Sequence, residues 1–270
     1  MTTNLYIVEP ITNLHVGSGK ENYGVVDNLI QRDATTGLPC INASSLKGAL
    51  REHVEQKVSK EQIRQIFGSA PTESDTQSGS YRFFDAHLLA LPVRGERSPY
   101  YLATCPQVIE DFQKQVTLFA VPEADRWVEA LKSLLDLGQN IALKQNAPDK
   151  DTQIRIEDLP IEVILKRNNS CYAENALLGQ LFNRQPILML SNMRFRELCD
   201  NNHLPVIARN YLNNGESKNL FYEQVLPRYS LLYFLAVNTT KEVTLAIDGE
   251  LVQIGANASV GNGFCKLRKG

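Results

Sequence analysis

Leu14-His15-Val16-Gly17-Ser18-Gly19, then Gly24-Val25-Val26-Asp27-Asn28, then Gln31-Arg32-Asp33, and then Asn42-Ala43-Ser44-Ser45-Leu46-Lys47-Gly48-Ala49-Leu50-Arg51 follow one another closely near the start of the chain. This stretch decides the fold reading. A glycine-bearing loop enters a short extended piece at Val25–Val26, and an isolated acid, Asp27, stands directly after it. Glycines at 17, 19 and 24 permit close backbone approach to a ligand, because no Cβ intervenes. Thr35-Thr36-Gly37-Leu38-Pro39 carries turn chemistry, and a helix then runs from Ser44 to about Val58. Ser44 or Ser45 can cap it, and the free N–H groups of a first helical turn favour an anion. Lys47 and Arg51, spaced i and i+4, project from one face of that helix. The pattern describes a phosphate-binding surface with one carboxylate beside it.

Working outward, Asn4–Ile11 reads as a first strand, and Glu61–Phe67 as a short helix stopped at Gly68. Residues 69–80 are rich in Ser, Thr, Gly and acid and read as a loop. Tyr81–Val93 is strand-like. Helices are expected over Pro106–Phe119, Ala124–Leu137 and Asn192–Asn201, with short extended segments between Ile141 and Ile164. Val206–Pro227 reads as a hairpin with Asn213-Asn214-Gly215 at its tip. Leu231–Val237 and Leu245–Ile254 read as strands. A second glycine loop, Gly255 to Gly263, leads into the strand Phe264–Leu267. Strands and helices mixed without βα regularity place the chain in the α+β class.

The totals narrow the function. With 28 basic and 30 acidic residues, the formal charge is −2. A protein that coats nucleic acid through a generally basic surface is excluded, so any contact with phosphate must come from local clustering. The cysteines, at 40, 105, 171, 199 and 265, are odd in number and form no Cys-x-x-Cys pair, which supports neither a disulfide framework nor a zinc ribbon. There is no basic-then-apolar leader and no long apolar run. The expectation is a cytoplasmic chain with no membrane partner.

Five ordered blocks carry a resemblance. They are His15–Gly19, Gly24–Asp27, Gln31-Arg32-Asp33 with Gly37 and Pro39, Ser44–Arg51, and Phe84–Arg94 followed by Ala103–Pro106. Together they resemble the RAMP superfamily of CRISPR RNA-binding proteins. Within it, the last of these blocks, Leu220–Pro227 and the Gly255–Gly263 loop are similar to the repeated backbone (fourth) subunit of the type III-B Cmr complex. The sequence departs from that family at Asn42-Ala43, where Pro-Gly is common, and at Gly255-Ala256, where two glycines are common.

The resemblance implies a single RAMP domain over 1–270, with an RRM-like (ferredoxin-like) palm. It implies inserted fingers over about 100–170, a loop at about 69–80 and a thumb-like β-hairpin over about 206–227. It implies copies stacked along a CRISPR guide RNA, contacts with other Cmr subunits, and cleavage of guide-paired, single-stranded target RNA at regular intervals. The aspartate on which cleavage depends would be Asp27, acting with a divalent metal ion, Mg or Mn. Guide-binding residues would be His15, Gly17, Ser18, Ser44, Ser45, Lys47, Arg51, Arg209, Lys218, Gly261 and Gly263.

Each of these has a plainer reading. From its neighbours alone, Asp27 is better explained by an Asx-turn and His15 by a packed or hydrogen-bonded imidazole, and the usual fate of a pair such as Lys47 and Arg51 is a solvated helix face. Arg94 reads either as a partner of Asp85 or as an RNA contact. Tyr229, Tyr233 and Phe234 read as core. Two rival functions are a scaffold that has lost cleavage, and a metal-independent RNA-processing enzyme. The latter depends on histidine chemistry, and the four histidines present form no pair.

Overall fold

The computed structural model describes residues 1–270 apart from 20–23, 71–74, 145–146, 149, 158, 160–161, 168–175, 214–215 and 241–242, and apart from the side chains of 176, 211–213 and 217–218. The hairpin tip at Asn214-Gly215, the Lys218 side chain, Cys171 and the centre of the 69–80 loop therefore lie outside the described residues. The chain forms two compact units. One comprises Met1–His87 with Cys199–Lys269, and the other Leu88–Leu198. The insertion expected at about 100–170 falls inside the second.

The first unit begins with β1 (Thr2–Pro10) and β2 (Cys40–Ile41), followed by helices α1 (Ala43–Glu55) and α2 (Lys60–Phe67) and strand β3 (Tyr81–Phe83). Leu46, Leu50 and Val54 are buried along one side of α1, at i, i+4 and i+8. Each contributes roughly 1.5–3 kcal/mol by leaving water. Helix α2 opens with a capping box, in which Ser59 Oγ accepts from the Gln62 N–H at 3.3 Å and Gln62 Oε1 accepts from the Ser59 N–H at 3.2 Å. It stops at Gly68, whose φ of +86° is open to glycine, as expected from the sequence.

The chain continues through β4 (Ala86–Gly95), within which the second unit starts. That unit adds β5 (Ser98–Thr104), α3 (Pro106–Leu118), α4 (Ala124–Leu135), β6 (Ile141–Lys144), β7 (Thr152–Ile154), β8 (Val163–Arg167), α5 (Ala176–Leu181), β9 (Ile187–Met189) and α6 (Asn192–Cys199). Its strands lie in the order β4-β5-β9-β6-β8-β7, with β5–β9 and β6–β8 parallel and the other pairs antiparallel. Pro106 sits at the first turn of α3, where its missing N–H costs nothing. Phe112 of α3 meets Trp127 of α4 edge-on at 6.2 Å, in a core that includes Val116, Leu131 and Leu134.

At Cys199 the chain re-enters the first unit, which it completes with β10 (Val206–Asn213), β11 (Glu216–Gln224), β12 (Leu231–Asn238), β13 (Leu251–Gln253) and β14 (Phe264–Lys269). Here β13-β14-β1-β12-β3 form an antiparallel sheet, with Leu5 opposite Leu235 and Val8 opposite Leu267. All eight residues of β12 are buried, as a strand covered on both faces requires. Tyr233 and Phe234 are core, as expected. Tyr229 is not: it lies in a turn at φ +71°, with Arg228 over its ring.

Three further expectations are corrected. Val25–Val26 forms no strand, because pairing there is limited to single bridges at Gly17–Ile30 and Asn28–Glu223. Of Leu245–Ile254 only Leu251–Gln253 is strand, and the Leu245 N–H donates instead to the Tyr81 hydroxyl oxygen at 2.9 Å. The helix of Ser44–Val58 runs instead from Ala43 to Glu55. The architecture is mixed α and β with a mostly antiparallel sheet, and among the described residues no helix is long and apolar enough to cross a membrane.

Candidate nucleic-acid interface

Two arms of the opening stretch meet different supports in the first unit. The first arm is the loop around Asp27. Hairpin β10–β11 pairs Ala208 with Tyr222 and Arg209 with Phe221, and the loop joins the outer edge of β11. The N–H groups of Asp27 and Asn28 both donate to the Tyr222 carbonyl at 3.1 Å, and the Gln224 N–H donates to the Asn28 carbonyl at 2.9 Å. Asp27 Oδ2 accepts from the Tyr222 N–H at 2.7 Å. This is not an Asx-turn within the loop but a clamp onto the hairpin. Oδ1 takes no hydrogen bond from the described residues, and the side chain is exposed.

Directly behind this clamp lies Glu223, which sequence reasoning missed. Its Oε2 accepts from Arg209 Nη1 at 3.1 Å and from Asn257 Nδ2 at 2.8 Å, and its Oε1 accepts from Asn28 Nδ2 at 3.4 Å. Arg209 also donates to Asn257 Oδ1 and lies over the Phe221 ring. Arg209 is therefore committed to bracing the hairpin base. Glu223 joins three separate segments, the Asn28 loop, the hairpin and the Asn257 loop. A buried carboxylate so engaged is satisfied, and its removal would leave Arg209 uncompensated.

The second arm is the start of α1. Neither Ser44 nor Ser45 is the cap: Asn42 holds that position without a side-chain cap bond, and Asp85 supplies the missing acceptor by taking the Ala43 N–H at 2.6 Å. Ser44 is exposed and Ser45 half-buried, in the first turn. Lys47 has no ion-pair partner among the described residues. Burial, together with the positive charges of Arg51 and Arg82, pushes its pKa below that of an ordinary lysine. Arg82, exposed on β3, is thus a further member of the basic face, and strand alternation in Tyr81-Arg82-Phe83 was the signal that could have found it.

Arg51 belongs to this face by position but is occupied. It pairs with Glu55 at 2.8 Å and donates to the carbonyls of Gly68 and Ser69 at 3.1 and 3.4 Å. His15 is corrected outright: it is 4% exposed, with Nδ1 bonded to the Gln224 carbonyl at 2.6 Å. It packs beneath the loop rather than facing a ligand. Arg94 pairs with Glu157 at 3.7 Å, while Asp85 serves α1, so the reading of Arg94 as a partner of Asp85 does not hold.

Gly17 is exposed, and its carbonyl accepts from Gln31 Nε2. The Ser18 N–H donates to the Leu29 carbonyl at 2.8 Å. In the second glycine loop, Gly261 is exposed at φ +80° with open space around it. Gly263, at φ +81°, lies where a Cβ would come within 2.1 Å of the Ile254 carbonyl oxygen. Gly261 is available to a ligand, whereas Gly263 is required by the turn.

Comparisons with known proteins bear on the chain as a whole. The RAMP superfamily matches residues 7–266. A curated relative from Pyrococcus furiosus, named CRISPR system Cmr endoribonuclease Cmr4, is 29% identical, over 95% of this chain and 92% of its own. Among solved structures, a type III-B Cmr-beta complex bound to cognate target RNA contains a chain that superposes with a TM-score of 0.81. That chain is 19% identical, and the match covers 100% of this chain and 97% of the other. Oligomeric Cmr4 from Pyrococcus furiosus gives a TM-score of 0.71 at 24% identity, covering 100% and 98% of the two chains.

Proposed function

Since the chain belongs to the RAMP superfamily, we propose that it is a CRISPR RNA-binding backbone subunit of a type III-B effector complex, cleaving guide-paired target RNA at regular intervals. Its partners in this reading are guide RNA, single-stranded target RNA, further copies of itself and other Cmr subunits. The sheet of the first unit would be the RRM-like palm, and β10–β11 the thumb. The observation that carries the reading is the exposed Asp27 carboxylate, with one oxygen taking no hydrogen bond from the described residues, fixed to the base of that hairpin.

The first turn of α1, with Ser44, Ser45 and Lys47, would hold guide phosphates, Arg82 adding charge from β3. Gly17, Ser18 and Gly261 would line the same path, and Lys218 would lie on the thumb. The hairpin would separate one nucleotide from its neighbours. A nucleotide so displaced presents its own 2′-hydroxyl in line with the adjacent phosphate, and holding that alignment is itself a large part of catalysis.

The metal fits on limited terms. Among the described residues no group of three His, Cys, Asp or Glu side chains gathers, and the Glu223 carboxylate is taken up by Arg209, Asn257 and Asn28. Among the described residues Asp27 Oδ1 is the donor left, which suits a hard cation whose other ligands are phosphate oxygens and water. Bound there, Mg or Mn would supply charge stabilisation at the scissile phosphate.

The clamp on Tyr222 also favours a second reading, in which Asp27 only fastens the loop and the subunit is a scaffold. Asp27→Asn separates the two, since an amide oxygen can still accept from the Tyr222 N–H. In the reconstituted complex, cleavage of guide-paired RNA should fall by about a hundredfold or more, with guide binding unchanged. Regularly spaced cuts at the normal rate would establish the scaffold reading instead.

A further inference from the structure

The buried amide of Gln31 has a fixed orientation, and that orientation dictates what Ser45 can do. Gln31 is 8% exposed, and its backbone is pinned on both sides: its N–H donates to the Val16 carbonyl at 2.9 Å, and its carbonyl accepts from the Cys40 N–H at 3.1 Å. The side-chain Oε1 accepts from the Asn42 N–H at 2.7 Å. Nε2 donates to the Gly17 carbonyl at 3.2 Å and to Ser45 Oγ at 3.0 Å.

A backbone N–H can only donate and a backbone carbonyl can only accept. Turning the amide over would set donor against donor at Asn42 and acceptor against acceptor at Gly17. The oxygen and nitrogen are therefore assigned by their neighbours, and the second amide hydrogen must go to Ser45 Oγ. Ser45 is forced to accept on that side. Its own hydroxyl hydrogen has no acceptor among the described residues.

We infer that Gln31 is a positioning residue that holds the Ser45 hydroxyl as a hydrogen-bond donor to a phosphate oxygen of the bound RNA. This rests on the guide-binding reading of the α1 start. A phosphodiester oxygen accepts and never donates, so a hydroxyl whose hydrogen is kept free matches it before binding. The same amide ties Gly17 to that hydroxyl, so the glycine loop and the helix start meet the backbone of one ligand as a single rigid piece. Ser44, exposed in the same turn, has no such buttress among the described residues.

The test is a double-mutant cycle on the full chain, read by fluorescence anisotropy with a labelled single-stranded RNA. Ser45→Ala should weaken binding about tenfold, and Ser44→Ala distinctly less. Gln31→Met should weaken it to a similar extent in the native background and add little to Ser45→Ala. The slope of affinity against salt should stay unchanged for both, because neither removes a charge.

Gln31→Glu provides an independent arm should Gln31→Met fail to fold. It keeps an acceptor for Asn42 but accepts from Ser45, drawing the hydroxyl hydrogen inward, and its charge cancels across the cycle. Additive losses in both cycles would overturn the inference while leaving the guide-binding reading intact. Unchanged affinity for Ser45→Ala together with Lys47→Glu would overturn both.

Discussion

The Asp27 loop and the start of α1 lie near each other in sequence, yet they are held in opposite ways. Asp27 is exposed and fastened to Tyr222 through its own N–H and side chain, while Asn28 beside it is bonded to Tyr222 and Gln224, on the outer edge of a hairpin. Ser45 is fixed from below by the Gln31 amide, inside a network that reaches Gly17 and Asn42. The first arm is tied to the hairpin by its hydrogen bonds to β11. The second is part of the framework. A residue that must meet a displaced nucleotide gains from being tied to the element that displaces it, and a residue that grips a continuous backbone gains from immobility.

The largest way to break this contrast is at Glu223. Glu223→Ala removes the one carboxylate that joins Arg209, Asn257 and Asn28, and should cost about 2–3 kcal/mol of stability, the partial exposure of Arg209 tempering the loss. Thermal melting checks this. Cleavage should fall more than guide binding, and equal losses in the two would mean that the arms are not separable.

A smaller effect sharpens the other side. Lys47→Glu should weaken guide RNA binding about tenfold and lessen its dependence on salt, leaving the spacing of cuts unaltered. Titration at several salt concentrations decides it. Smaller still is a pH effect at the same residue. Phosphate favours the charged lysine, and burial with Arg51 and Arg82 lowers its pKa. Affinity should therefore hold at neutral pH and decline on the alkaline side earlier than for an ordinary lysine, a limb that Lys47→Met should abolish. The smallest is a control remote from both arms: Ser59→Ala removes the capping box of α2 and should cost about 1 kcal/mol in melting, with binding and cleavage untouched.

The residues of both arms were legible because their signals are local. Serines ahead of a basic helix, glycines in a loop and an acid after two β-branched residues are visible within a short window. The two-strand hairpin and the stop at Gly68 were legible for the same reason. The supports were not. Gln31 reaches Ser45 across fourteen positions, and Asn28 reaches Glu223 across 195. A glutamine or glutamate that becomes a buried hub carries no periodicity to mark it. The cap of α1 was misplaced on the same ground, since its acceptor, Asp85, comes from forty-two residues away. His15 shows the converse error. A histidine beside a glycine loop resembles a contact residue, but the Gln224 carbonyl claims its ring from the far side of the fold.

The meeting of the two glycine loops has a consequence for synthesis. The Ala256 N–H donates to the His15 carbonyl at 2.9 Å and the Gly263 N–H to the Asn13 carbonyl at 2.9 Å, and Gly255 leaves no room there for a side chain. The loop that bears Asp27 thus leans on segments far later in the chain. Contacts of such high sequence separation form late, after most of the chain has emerged from the ribosome. A chain cut after β12 would carry Asp27 and Lys47 but lose both of these hydrogen bonds, leaving the first glycine loop without its second support.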